Sequence, residues 1–205
     1  MYKAWNDKTY REILNATDLV LPDGLGLKLA TKILGGRMKE NCNGTDFSPL
    51  FMAEAAQRGL SVFFLGGKEG VAEKAAEKIS KQIPGIKITG TQNGYFDNDD
   101  KIIKKINAAS ADIVFVGMGV PIQEKWITKN REKLNSTLCL GVGALFDYLS
   151  GRIKRAPKIF QKMHIEWLWR IMMEPKRLWK RYLVDDVKFL WLVLKHKNSP
   201  TQICS

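Results

Sequence analysis

Five short runs rich in β-branched and apolar residues recur along the chain, at residues 18–22, 60–65, 86–90, 112–116 and 137–140, with helical periodicity between them. Strands separated by helices cannot pair as tight hairpins. The alternation therefore predicts an α/β fold with a Rossmann-like parallel sheet flanked by helices. The clearest helical stretch covers residues 70–83, where Val71, Ala75, Ile79 and Ile83 repeat every four positions and lysines fill the other face. Asp97, Asn98, Asp99 and Asp100 precede the next helical stretch and predict a capped, acidic helix start.

Four of the five strand runs end in glycine turns: Pro22-Asp23-Gly24-Leu25-Gly26, Gly66-Gly67, Gly117-Met118-Gly119 and Gly141-Val142-Gly143. Open parallel sheets bind ligands at the carboxyl ends of their strands. Glycines there let a ligand approach the backbone, and neighbouring helix N-termini favour anions. Glycine also suits any tight strand-to-helix turn. One such turn reads as chain geometry, whereas four on one edge bring a phosphate-bearing ligand level with that reading. None of them completes G-x-G-x-x-G, because Leu29 and Ile122 occupy the third glycine position. The Gly66-Gly67-Lys68-Glu69-Gly70 turn lacks the Walker spacing and its Ser/Thr. Nicotinamide and ATP chemistry lose ground accordingly.

The formal net charge is +12, and it is unevenly placed. Residues 151–205 carry 13 Lys and Arg against 4 Asp and Glu, whereas residues 1–150 carry 20 against 17. Such asymmetry points to an anionic partner. The expected organisation is an α/β domain over residues 1–150 and a basic, Trp-rich helical appendage over residues 151–205. Trp167, Trp169, Trp179 and Trp191 lie in that appendage, and Val184, Val187, Trp191 and Leu194 form an apolar stripe beside Lys188, Lys195 and Lys197. Lys176, Arg177, Lys180 and Arg181 add a cationic face. This mixture suits the headgroup zone of an anionic membrane, and equally a solvated basic face. Nucleic acid is not expected, since basic and large apolar residues interleave without a recognition motif. The longest apolar run of the tail, residues 189–194, is too short to span a bilayer. Residues 1–17 have no signal-peptide pattern, and three scattered cysteines offer no zinc spacing. A reduced, cytoplasmic compartment fits best.

Several long blocks then identify a likeness: LPDGLGLKLATKILG, NGTDF, FFLGGKEGVAEKAAEKI, GTQNGYF, VGMGVPIQEKWI, GVGALFDYLSG, RAPKIFQKMHIEWLWR and EPKRLWKRY, in that order between Leu21 and Tyr182. The chain resembles the WecG–TagA–CpsF family of bacterial glycosyltransferases of cell-envelope polysaccharide assembly. The resemblance implies an inverting, metal-independent enzyme without cofactor, acting in teichoic acid or exopolysaccharide synthesis at the inner face of the cell membrane. It implies a UDP-sugar donor, often of UDP-N-acetylmannosamine type, and N-acetylglucosamine on a polyprenyl diphosphate as acceptor.

By the same resemblance Asp23 is the catalytic base, although spacing alone reads it as a turn former. Gly66, Gly67, Gly119, Gln123, Tyr95 and Asp46 fall in matching blocks and are expected around the donor, with Asp46 equally suited to capping a helix near Phe47. Arg155, Arg170, Arg177, Lys180 and Arg181 are expected to meet the diphosphate, for which the fixed fork of arginine is suited. His164 is expected to be packed or at the surface. Two departures stand out. Asn41 occupies the place where the family generally has arginine, and the chain begins later than the family usually does. They motivate the alternative of a catalytically weakened sugar-nucleotide-binding or membrane-associated assembly protein. A homo-oligomer is a further expectation.

Overall fold

The computed structural model describes residues 2–157, 160, 166–173 and 175–197. Along the chain run α1 (Tyr2–Asn6), α2 (Lys8–Ala16), α3 (Leu25–Ile33), α4 (Gly44–Gln57), β1 (Ser61–Gly66), α5 (Val71–Gln82), β2 (Lys87–Gln92) and α6 (Asp99–Ala108). Then come β3 (Ile113–Gly117), α7 (Ile122–Asn130), β4 (Leu138–Gly141), α8 (Leu145–Leu149), α9 (Glu166–Met173), α10 (Pro175–Lys180) and α11 (Asp186–Lys195). The chain forms two compact units, Gly44–Lys154 and Met1–Asn43 with Arg155–Ser205. This division differs from a single cut at residue 150, because the first 43 residues group with the C-terminal helices.

The unit Gly44–Lys154 is the expected parallel sheet, in the order β2-β1-β3-β4. Its two central strands read SVFFLG and IVFVG and are buried along their whole length. Strands covered on both faces need continuous apolar runs, which is why these two lack polar alternation. Successive side chains still point to opposite faces, so the two strands feed two cores. On one face Val62, Phe64, Ile113 and Phe115 meet Met52 and Ala55 of α4, Ala72, Ala75 and Ile79 of α5, and Leu145 and Phe146 of α8. On the other, Phe63, Leu65, Val114 and Val116 meet Ile102, Ile103 and Ile106 of α6 and Trp126 of α7. The predicted stripe of residues 70–83 is thus the buried face of α5, with Ile83 at its C-cap.

The acidic run before α6 also folds as the sequence predicts. Asn98 caps the helix, its Oδ1 accepting from the Lys101 amide at 3.0 Å. Asp99 accepts from Trp126 Nε1 at 3.0 Å and from Lys129 Nζ at 2.7 Å. The Lys129 bond, opposed by partial burial and joined by the Trp126 bond, holds the Asp99 carboxyl below its ordinary range.

One sequence expectation is corrected. Residues 18–22 form no strand, and Leu19 and Val20 are 70% and 55% exposed. Extended propensity alone does not make a strand; its N–H and C=O groups need a ladder partner. Here the segment is tied by a backbone bond from the Cys42 amide to the Pro22 carbonyl at 2.8 Å.

In the other unit α11 rests on α3 at a small-residue contact, where a Cβ on Gly26 would lie 4.0 Å from Asp186 Cγ. The Trp5 ring meets His196 at 5.1 Å between centroids. Leu178 and Val193 are buried, whereas Leu183, Val187, Trp191 and Leu194 face solvent, with Lys195 Nζ 5.3 Å from the Trp191 ring centroid. The expected stripe on α11 is therefore exposed at Val187, Trp191 and Leu194 and half-buried at Val184. Among the described residues no helix is long and apolar enough to cross a membrane. His164 lies outside the described residues.

The start of β1 depends on one carboxylate. Asp112 Oδ2 accepts from both the amide and the hydroxyl of Ser61, each at 2.7 Å. Those two bonds, with a smaller contribution from the charge of Lys87, hold the Asp112 carboxyl below its ordinary value. A depressed folded-state value gives stability that is present above the ordinary carboxylate range and is lost as pH falls through the folded value. Thermal melts followed by circular dichroism should therefore show Tm dropping below about pH 4 in the wild type. Asp112→Asn should lower Tm at pH 7 and flatten that acid limb; an unchanged limb contradicts the assignment.

Candidate functional site

β1 leads through α5 to β2 on one side, and β3 leads through α7 to β4 on the other. The connections diverge between the carboxyl ends of β1 and β3, which is where an open parallel sheet leaves a ligand crevice. Gly66 ends β1 there and Gly67 follows it. A Cβ on Gly66, whose φ is +143°, would lie 2.4 Å from the Gly117 carbonyl oxygen at the end of β3. The Gly67 amide donates to that same oxygen at 3.0 Å, and the Gly94 amide donates to the Gly67 carbonyl at 2.9 Å. Three loops, following β1, β2 and β3, thus meet backbone to backbone.

Tyr95 follows Gly94 directly. Its amide donates to Asn93 Oδ1 at 3.0 Å, and its ring is 74% exposed, so the loop after β2 presents a held aromatic face to solvent. Asp46 is exposed in the first turn of α4, two residues inside a helix that starts at Gly44, where a carboxylate complements the helix dipole.

Gln123 opens α7 and is buried. Its Oε1 accepts from the Gly119 amide at 3.1 Å and from the Gly143 amide at 2.9 Å, while Nε2 donates to Glu124 Oε1 at 2.8 Å. A Cβ on Gly141 would lie 2.7 Å from Nε2, so glycine at the end of β4 makes room for the carboxamide. The sequence placed Gln123 at the ligand edge. It carried no local sign of the Gly143 contact, twenty residues away.

In the other unit Asp23 is exposed just before α3. The following amide, Gly24 N–H, donates to Asn41 Oδ1 at 2.8 Å, and the Cys42–Pro22 bond lies alongside. Asn41 therefore anchors the Asp23–Gly24 peptide, a role sequence reasoning missed because the partners are 17 residues apart. Arg155 is half-buried with Nε 3.5 Å from Glu166 Oε1. Lys180 is exposed on α10. Arg170 belongs to α9, Arg177 to α10, and Arg181 to the π-helical turn Arg181–Asp185.

A family model described as "Glycosyl transferase WecG/TagA/CpsF family" matches residues 1–202. A Bacillus spizizenii protein named N-acetylglucosaminyldiphosphoundecaprenol N-acetyl-beta-D-mannosaminyltransferase is 34% identical over 198 residues, covering 97% of this chain and 76% of that protein. A Bacillus subtilis protein of the same name is 32% identical over 200 residues, 98% of this chain and 78% of its own length. A Staphylococcus aureus protein, again of that name, is 32% identical over 196 residues, 95% of this chain and 76% of its own.

The glycine junction gives a direct stability test. Gly66→Ala forces a methyl into the Gly117 backbone, whereas Gly119→Ala meets only the strain of φ +81° in open space. Urea unfolding should show a loss of about 3 kcal/mol for the first and about 1 kcal/mol for the second. Equal losses would contradict the close approach.

Proposed function

The chain belongs to the glycosyl transferase WecG/TagA/CpsF family, and we propose that it transfers an N-acetylmannosamine-type sugar from a UDP-linked donor to N-acetylglucosamine on a polyprenyl diphosphate. The observation that carries this reading is the name shared by relatives matching 95% or more of the chain.

In this reading Asp23 takes the proton from the acceptor hydroxyl. The freed oxygen attacks the anomeric carbon opposite the leaving group, and the bond to the diphosphate breaks with its electron pair leaving on UDP. One displacement gives one inversion. Asp23 is an exposed residue, and the Asn41 anchor holds the peptide that follows it. The switch-point edge at Gly66, Gly67 and Gly119 is the proposed donor site, with the Tyr95 ring and Asp46 beside the donor. Arg155, Arg170, Arg177, Lys180 and Arg181 are proposed to offset the charge on departing UDP, without a metal. The exposed line of Val187, Trp191 and Leu194, with Lys188 and Lys195, is proposed to rest on an anionic leaflet.

Purified protein should release UDP from a UDP-N-acetylhexosamine in the presence of a lipid-diphosphate N-acetylglucosamine analogue and a chelator. Asp23→Asn should lower kcat about 100-fold or more. Wild-type activity in that variant removes the base assignment, and no turnover with retained UDP binding favours a weakened binding protein. For the membrane, Val187→Ser with Trp191→Ser should weaken flotation on anionic vesicles by about tenfold or more. Unchanged flotation would refute the docking face.

A further inference from the structure

We infer that Gln123 is a positioning residue, whose buried carboxamide staples the loop after β3 to the loop after β4 and acts on the donor site through those loops. What the loops do rests on the transfer reading above; the staple rests on the geometry of this chain alone. An amide oxygen has two lone pairs, and here both are taken, by the Gly119 and Gly143 amides. One Nε2 hydrogen goes to Glu124. The residue is 3% exposed, so the carboxamide faces protein rather than the crevice.

The location explains why a staple is needed. The ladder between β3 and β4 ends at the Val142 amide, which donates to the Val116 carbonyl at 2.9 Å. Beyond it each chain turns into its own helix, so backbone pairing no longer fixes one loop against the other. Gln123 bridges that point from both sides: its main-chain amide donates to the Gly119 carbonyl at 3.0 Å, and its side chain returns to the Gly119 amide. The same carboxamide reaches across to Gly143 in the loop from the neighbouring strand. Gly141 is the complementary feature, since any larger residue there would displace Nε2. A donor held at this edge meets loops whose spacing is set before it arrives, which is how preorganisation lowers the barrier to a displacement.

The test is a pair of substitutions that separate staple from ligand. Gln123→Met keeps length and loses the acceptor; Gln123→Glu, made throughout together with Glu124→Gln so that the 2.8 Å contact between the two side chains keeps a hydrogen, keeps oxygens for both amides. In ligand-free protein, amide exchange by NMR should accelerate at Gly119 and Gly143 by about tenfold in Gln123→Met and by no more than about threefold in Gln123→Glu. Donor kcat/KM should follow the same order, wild type above Gln123→Glu above Gln123→Met. A carboxamide N–H that touched the anionic donor predicts the reverse, because a carboxylate there repels diphosphate more than a thioether does. Unchanged exchange in Gln123→Met, or Gln123→Glu less active than Gln123→Met, overturns the inference. If Gln123→Met does not fold, Gly141→Ala displaces the same carboxamide with Gln123 retained, and unchanged exchange there overturns it equally. A wild type without turnover defeats the transfer reading, and the exchange measurements still decide the staple.

Discussion

The backbone contact between the ends of β1 and β3 is the constraint on which the open edge of the sheet depends. Gly66 and Gly117 approach so closely that a single added carbon would strike a carbonyl oxygen at 2.4 Å. The Gly67 amide bonds to that oxygen, and the Gly94 amide bonds in turn to Gly67. Two buried central strands bring these residues to one level, with Leu65 opposite Val116 and Gly66 opposite Gly117. The packed faces beneath supply the stability, since Phe64 lies 4.9 Å from Phe146 and 5.7 Å from Phe115 between ring centroids. The open end of the sheet is therefore closely packed where glycine is obligatory, and side chains such as Tyr95 are carried on its margin.

A second pattern is that a carboxamide organises loops within each unit. Gln123 spans two loops of one unit, and Asn41 secures the peptide after Asp23 in the other. An amide oxygen accepts a backbone N–H without the negative charge of a carboxylate, which would repel the proposed diphosphate donor. Asn41 at an expected arginine position is, on this view, an anchor for the Asp23 loop. The cations proposed to face the diphosphate come from Arg155 and from the C-terminal helical segments.

Much of this was legible in the sequence, because periodicity and glycine spacing are local. The parallel sheet, the buried face of α5 and the Asn98 cap follow from patterns within a dozen residues. Residues 18–22 misled because strand composition says nothing about whether a partner edge exists. The division into units was also hidden, since the association of residues 1–43 with the C-terminal helices is long-range. Asn41 and Gln123 were marked as positions, but their hydrogen bonds join loops 17 and 20 residues apart and leave no periodic trace. Asp23 gained its catalytic reading from family likeness, as a Pro-Asp-Gly turn carries no chemical signature of its own.

The proposed chemistry is a single displacement at the anomeric carbon, and product stereochemistry tests it most directly. The anomeric configuration of the transferred sugar can be read by NMR from the one-bond coupling between its C1 and H1. A single displacement predicts a disaccharide product whose transferred sugar has the configuration opposite to that in the donor. Retention of the donor's configuration would require two displacements and a nucleophile in place of a base, and would contradict it.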